Sequence, residues 1–178
     1  MKELIIPQPA NGRFGFPEWG SHIPVITKVL DRLQPKTILE LGSGDHSTIV
    51  FHSYVTGVPG RSLVTLDNDL TWIEGLAWQR NAQHEIRYVP DWDPKHHDGY
   101  YDLIFIDQAP EETRWQISLE WAATHCTVAM VHDENYVDRY GHLYPLFASR
   151  VNYGAYKFHT GVFGREIDVT EWWPDGGI

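Results

Sequence analysis

The 178-residue chain carries a single cysteine, Cys126, so no disulfide can form within it, and the composition fits a reducing compartment. No apolar run approaches the roughly 18 residues needed to cross a bilayer, and no basic-then-apolar leader opens the sequence. The expectation is a cytoplasmic protein without a membrane partner. Basic residues are scarce: 14 Lys and Arg stand against 24 Asp and Glu, a formal charge of −10, with no basic run. Phosphate backbones are bound chiefly by Lys and Arg, so a nucleic-acid partner is not expected. Internal repeats and low-complexity tracts are absent, and the length suits one well-buried core rather than two.

What the chain has in quantity is aromatic residues, eight Trp among them, which as large rings serve mainly to fill a core. Residues 1–20 hold Pro7, Pro9, Pro17, Gly12, Gly15 and Gly20, so an irregular segment is predicted there. With Phe14, Phe16 and Trp19 among the breakers, it is a candidate lid over a ligand site. Residues 21–178 read as one domain. Ser21 is placed as the cap of a helix whose apolar face is Ile23, Ile26, Val29, Leu30 and Leu33.

Strands are predicted at Thr37–Leu41, Ser62–Leu66, Glu85–Val89, Tyr101–Ile106 and Thr127–Val131. Helices are predicted at Ser47–Val55, Leu70–Ala82, Glu111–Ala123 and Tyr136–Val151, the last kinked at Pro145. Two further strands, Ala155–Thr160 and Glu166–Trp172, have no helix between them and should pair as a hairpin. The predicted fold is α/β: a doubly wound, mostly parallel seven-stranded sheet with helices on both faces and a C-terminal antiparallel hairpin.

Each of the five parallel strands ends in glycine or acid: Gly42–Asp45, Asp67–Asp69, Asp91–Asp93, Asp107 and Asp133-Glu134. Open α/β sheets bind ligands beyond the carboxyl ends of their strands. The first tip runs Thr37-Ile-Leu-Glu-Leu-Gly-Ser-Gly-Asp-His-Ser-Thr48, a strand, a tight glycine turn and a helix start that presents backbone N–H groups. Asp67, 25 residues beyond Gly42, is placed to accept from both hydroxyls of a ribose, with Asp69 capping the next helix. The dinucleotide pattern G-x-G-x-x-G is incomplete, because Ser47 holds the third glycine position. The pair His96-His97 has no third ligand at suitable spacing and reads as an exposed loop.

Glu40-Leu-Gly-Ser-Gly44 resembles the E-x-G-x-G first motif of class I S-adenosylmethionine-dependent methyltransferases. Asp67 matches that family's ribose-binding acid, Asp91-Trp92 stands where an acid near the adenine amine is often found, and Tyr101–Asp107 resembles the fourth-strand motif. The resemblance spans about residues 24–135. It implies S-adenosylmethionine as cofactor, held by Glu40, Gly42, Ser43, Gly44, His46, Ser47, Thr48, Asp67, Asn68, Asp91, Trp92 and Asp107.

A narrower likeness, in Gly-Ser-Gly-x-x-Ser-Thr and Val131-His132-Asp133, is to the small-molecule and sugar O-methyltransferase branch. There, acids at the fourth and fifth strand tips can hold a divalent metal, which carries over to Asp107, Asp133 and Glu134 or Asn135, with Mg²⁺ as the ion. The chain departs from that branch at Gln108, where glycine is usual, and at Ala109-Pro110, which replaces a His-containing segment.

The implied activity is methyl transfer to a small-molecule acceptor, at oxygen, with His132 as general base and Asp107 and His46 as weaker candidates. The acceptor pocket would draw on residues 1–20, 94–100 and 136–144, or be completed by a homodimer. Two other readings stay open: a non-catalytic protein of the same fold that binds S-adenosylmethionine or a nucleoside, and an NAD-dependent oxidoreductase.

Overall fold

The computed structural model describes residues 1–6, 20–135, 137–156 and 158–174. Its strands are β1 (Lys2–Ile6), β2 (Thr37–Leu41), β3 (Ser62–Asp67), β4 (His84–Tyr88), β5 (Tyr101–Ile106), β6 (Cys126–His132), β7 (Ser149–Tyr153) and β8 (Thr160–Gly164). They form one sheet in the order β1-β7-β8-β6-β5-β2-β3-β4. Every pairing is parallel except those of β8, which runs antiparallel to both β6 and β7. The helices are α1 (Ile23–Leu33), α2 (Ser47–Val55), α3 (Leu70–Gly75), α4 (Leu119–His125) and α5 (Val137–Tyr140).

The central strands are apolar on both faces because both are covered. Ile38, Leu103, Phe105, Val128 and Met130 point to one side, where Val25, Ile26, Val29 and Leu30 of α1 and Phe51 and Val55 of α2 meet them. Leu39, Leu41, Ile104, Ile106, Ala129 and Val131 point to the other, against α4, Trp92, Tyr140 and Phe147. Each fully buried side chain of this kind stabilises by about 1.5–3 kcal/mol. The strand order reverses between β2 and β5, so their tips define the crevice where a ligand is expected in such sheets.

The doubly wound sheet of seven strands is present, and four local expectations are corrected. First, the sheet has an eighth strand: Lys2–Ile6 lies parallel to β7 at the edge, and the Lys2 ammonium pairs with Asp168. The rest of the predicted lid, residues 7–19, lies outside the described residues. Second, the terminal hairpin is Ser149–Tyr153 with Thr160–Gly164, earlier in the chain than expected. Residues Val169–Trp172 form a 3₁₀ turn instead, started by Asp168, whose carboxylate accepts from the Thr170 N–H at 3.1 Å.

Third, the long helix at Tyr136–Val151 is only one turn, α5, followed by a 3₁₀ turn at Tyr144–Leu146 with Pro145 near its start. The helix predicted over Leu70–Ala82 is likewise shorter: α3 ends at Gly75 and a 3₁₀ turn follows at Ala77–Gln79. Arg114–Ser118 is a π-helical turn leading into α4.

Candidate functional site

The glycine turn joins β2 to α2 and is shaped from beneath. Gly42 has φ +88°, and a Cβ there would lie 2.6 Å from the backbone of Asp107 and Gln108. Only glycine lets β2's tip pass this close to β5's tip. Glu40 is fully buried under the turn, its two oxygens accepting from Ser47 Oγ at 2.6 Å and Thr65 Oγ1 at 2.8 Å. Burial raises its pKa from 4.5 to about 7, against the lowering effect of those hydroxyls. The Gly44 N–H donates to Thr48 Oγ1 at 3.0 Å. Thus Glu40, Ser47 and Thr48, expected as cofactor ligands, are brought together here as the buried frame of the turn.

Above that frame lies a cleft of about 630 Å³ lined by Gly42, Ser43, Asp67, Asn68, Trp72 and Asp107, among others. Asp67 Oδ2 accepts from the Ser43 N–H at 2.6 Å and its hydroxyl at 2.8 Å, while Oδ1 accepts from the Asp69 N–H at 2.8 Å. Asp69 caps α3, accepting from the Thr71 N–H at 2.7 Å. A neighbouring cleft of about 460 Å³, lined by His22, Gly44, Asp45, His46 and Ser47, shares Trp72 and Asp107 with the first. A third depression holds Asp91 and Trp92 and shares Asn68 and Pro110 with the first cleft. Asp91 is exposed and bonded to His96 at 2.9 Å; Trp92 is buried, its indole N–H donating to the Ala109 carbonyl at 2.8 Å.

The tips of β5 and β6 carry a connected set of charges. His132 Nδ1 lies 3.2 Å from Asp107 Oδ1, and its Nε2 lies 3.0 Å from Ser21 Oγ. Burial disfavours a charge on His132, but the Asp107 carboxylate outweighs it and holds the imidazole pKa above its usual value. Asp107 is held below the usual carboxylate range: burial opposes this, and His132 and Arg114 overcome it.

Arg114, which the sequence reading did not single out, is buried and bridges Asp107 Oδ1 and Asp133 Oδ2, each at 3.0 Å. It also donates to the backbone carbonyls of Gln108 and His132. A row of acidic tips with no basic residue among them was the available signal that one cation had to reach them. Ser21 does not cap α1: the helix starts at Ile23, His22 holds the cap position without a side-chain cap bond, and Ser21 is spent on His132. His132 itself does not line either cleft; Asp107 and His22 do.

The metal set Asp107, Asp133 and Glu134 does not fit Mg²⁺. That ion wants several oxygen ligands and its own waters, whereas the Arg114 guanidinium occupies the space between Asp107 and Asp133. Glu134 is turned into the sheet, fully buried, with Arg150 at 2.7 and 2.9 Å and with Tyr144 and Asn152 also bonded to it. Its neighbour Asn135 is engaged elsewhere, accepting from the His159 N–H at 2.8 Å.

No family model and no curated protein matches the chain. Solved structures do resemble it in fold. A methyltransferase from Pyrococcus furiosus aligns over 82% of this chain and 83% of its own with TM-score 0.58 at 14% identity. An O-methyltransferase from Bacillus cereus in complex with SAH aligns over 88% and 84% with TM-score 0.58 at 18% identity. The O-methyltransferase TomG from Streptomyces achromogenes, in complex with SAM, aligns over 87% and 82% with TM-score 0.57 at 17% identity. The chain therefore has the fold of S-adenosylmethionine-dependent methyltransferases. No helix among the described residues is long and apolar enough to cross a membrane.

Proposed function

We propose that the protein transfers the methyl group of S-adenosylmethionine to an oxygen of a small-molecule acceptor. The observation that carries this reading is the placement of two chemistries on one edge: Ser43 and Asp67 line one cleft, and Asp107, which lines both that cleft and its neighbour, is backed by its bonded partner His132. In the reaction an O–CH₃ bond forms as the S–CH₃ bond breaks, the sulfonium becomes a neutral thioether, and the acceptor's hydroxyl proton leaves. Asp67 would bind the ribose in place of its present contact with Ser43, and the turn Gly42–Gly44 would pass the amino-acid end of the cofactor. Asn68, Asp91 and Trp92 would flank the adenine.

His132 is the general base of this proposal. Asp107 orients it and raises its pKa, and its Nε2 already faces a hydroxyl, that of Ser21. His132 lies behind the cleft wall, so an acceptor hydroxyl would reach its Nε2 from the smaller cleft, past His22, by displacing Ser21. Placement in the cytoplasm, and a second copy closing the acceptor side, belong to the same proposal; the clefts suit small molecules and the −10 charge disfavours nucleic acid.

Calorimetric titration tests the cofactor: S-adenosylmethionine should give heat and NAD none, and the reverse outcome would replace this reading with the oxidoreductase one. A transfer screen over phenols, sugars and amines then separates the enzyme from a non-catalytic binder. With an acceptor in hand, His132→Asn should slow transfer about 100-fold or more with cofactor affinity unchanged. Undiminished transfer would remove His132 from that role.

A further inference from the structure

We propose that His22, Asp107 and His132 form a binding site for a first-row transition-metal dication of the Zn²⁺ or Fe²⁺ kind. The starting observation is His22. Its ring is buried at 3% exposure beside the smaller cleft, yet neither nitrogen has a hydrogen-bond partner. Leaving a buried polar group unpaired costs about 1–3 kcal/mol, so two orphan nitrogens on one ring call for a ligand. The ring is held in place by carbon: Phe105 lies 5.5 Å away on one side, and His132 meets it edge-on at 4.5 Å.

One ligand atom from each of His22, Asp107 and His132 lies within 4.8 Å of the other two, and this is the one such group among the described residues. A dication about 2.1 Å from each ligand needs them roughly 3–3.4 Å apart, which small side-chain rotations supply. His132 Nε2 is bonded to the Ser21 hydroxyl, which a cation would displace, and Asp107 lines both clefts. Two imidazoles and one carboxylate select a borderline cation and reject Mg²⁺, which prefers an all-oxygen shell. Arg114 beside Asp107 is itself paired with Asp133, so its charge is offset locally. Because His22 and Asp107 line the smaller cleft, a cation held by them would be within reach of an acceptor oxygen entering it and would ease loss of that oxygen's proton. In the cation-loaded protein His132 is a ligand and not a base. The site shares its corner with the proposed methyl transfer but does not depend on it.

The test uses Co²⁺ added to the full chain without S-adenosylmethionine. One equivalent should give visible ligand-field absorption, displaced by Zn²⁺ and untouched by excess Mg²⁺. His22→Ala and His22→Gln, each with a circular dichroism spectrum matching the parent, should weaken Co²⁺ binding at least about tenfold, while His125→Ala, at the opposite end of β6, leaves it unchanged. Absent absorption, displacement by Mg²⁺, or parental affinity in the folded His22 variants would each overturn the proposal. Calorimetry with S-adenosylmethionine on the same samples reads the cofactor separately, so failure of either idea is visible by itself.

Discussion

At the scale of the residue, Gly42 shows how a single missing Cβ sets a site. Its φ of +88° and the 2.6 Å approach to the Asp107 and Gln108 backbone are two separate demands, and another glycine separates them. Gly57 has φ +76° with nothing within 4 Å of a built Cβ. Gly57→Ala should therefore cost only backbone strain, about 1 kcal/mol. Gly42→Ala adds a collision with backbone that cannot rotate away, and should cost about 2–4 kcal/mol in denaturant unfolding. It should also weaken S-adenosylmethionine binding more than about tenfold, because the β2 and β5 tips must part. Equal costs at the two glycines would show that the close approach is not what holds the turn.

At the scale of the element, β7 is the instructive case. Ser149-Arg-Val-Asn-Tyr153 carries Arg150 and Asn152 at alternate positions, and its first three residues fall inside the helix predicted over Tyr136–Val151. In the structure both are buried in the sheet, because Glu134 at the β6 tip supplies their partners. Gly161 of β8 makes the room, since a Cβ there would lie 3.0 Å from Glu134 Cγ. Removing the carboxylate takes away the buried acid that Arg150, Tyr144 and Asn152 share, so Glu134→Ala should destabilise by about 3–5 kcal/mol, measured by urea unfolding. A loss under about 1 kcal/mol would mean that water or another acid reaches Arg150.

The same contrast explains what the sequence could and could not reveal. Strands such as Leu103–Ile106 declare themselves because continuous burial on both faces needs a continuous apolar run. The glycine turn and the acidic tips are legible because their chemistry is local. Ser21 bonds His132 across 111 residues of chain, His22 meets the same ring edge-on, and Arg114 reaches Asp133 across 19, while Arg150 and Asn152 join through a buried acid. No local pattern encodes such partners.

At the scale of the whole molecule, protons couple the buried groups to stability. Burial lowers the pKa of His22 to about 3 and those of His84 and His97 to about 4, from 6.5. Each stays neutral in the fold where the unfolded chain would take a proton. The stability each contributes is thus present above pH 6.5 and lost as pH falls towards the folded values. Glu40 works in the opposite sense. Burial raises its pKa from 4.5 to about 7, so between these values the fold keeps a proton that the unfolded chain releases. Its contribution is present below pH 4.5 and is lost as pH rises to 7.

Between pH 4.5 and 6.5 the three histidines and Glu40 thus pull stability in opposite directions, and His132, raised by Asp107, adds a loss as pH climbs above 6.5. Glu40→Gln removes the opposing slope. The variant's stability relative to wild type should be constant below pH 4.5, grow by up to ~3 kcal/mol by pH 7, and level off above. Urea midpoints taken across that range measure it. A flat difference would mean that Glu40 ionises in the fold as readily as in water. Glu40 accepts from Ser47 at the start of α2 and, through Thr65, is linked to His84 at 2.9 Å and on to His52 at 2.9 Å. The proton that leaves Glu40 near pH 7 therefore also alters the hydrogen bonds that frame the Gly42–Gly44 turn. Cofactor affinity in the wild type should change across the same pH interval and hold steady in Glu40→Gln.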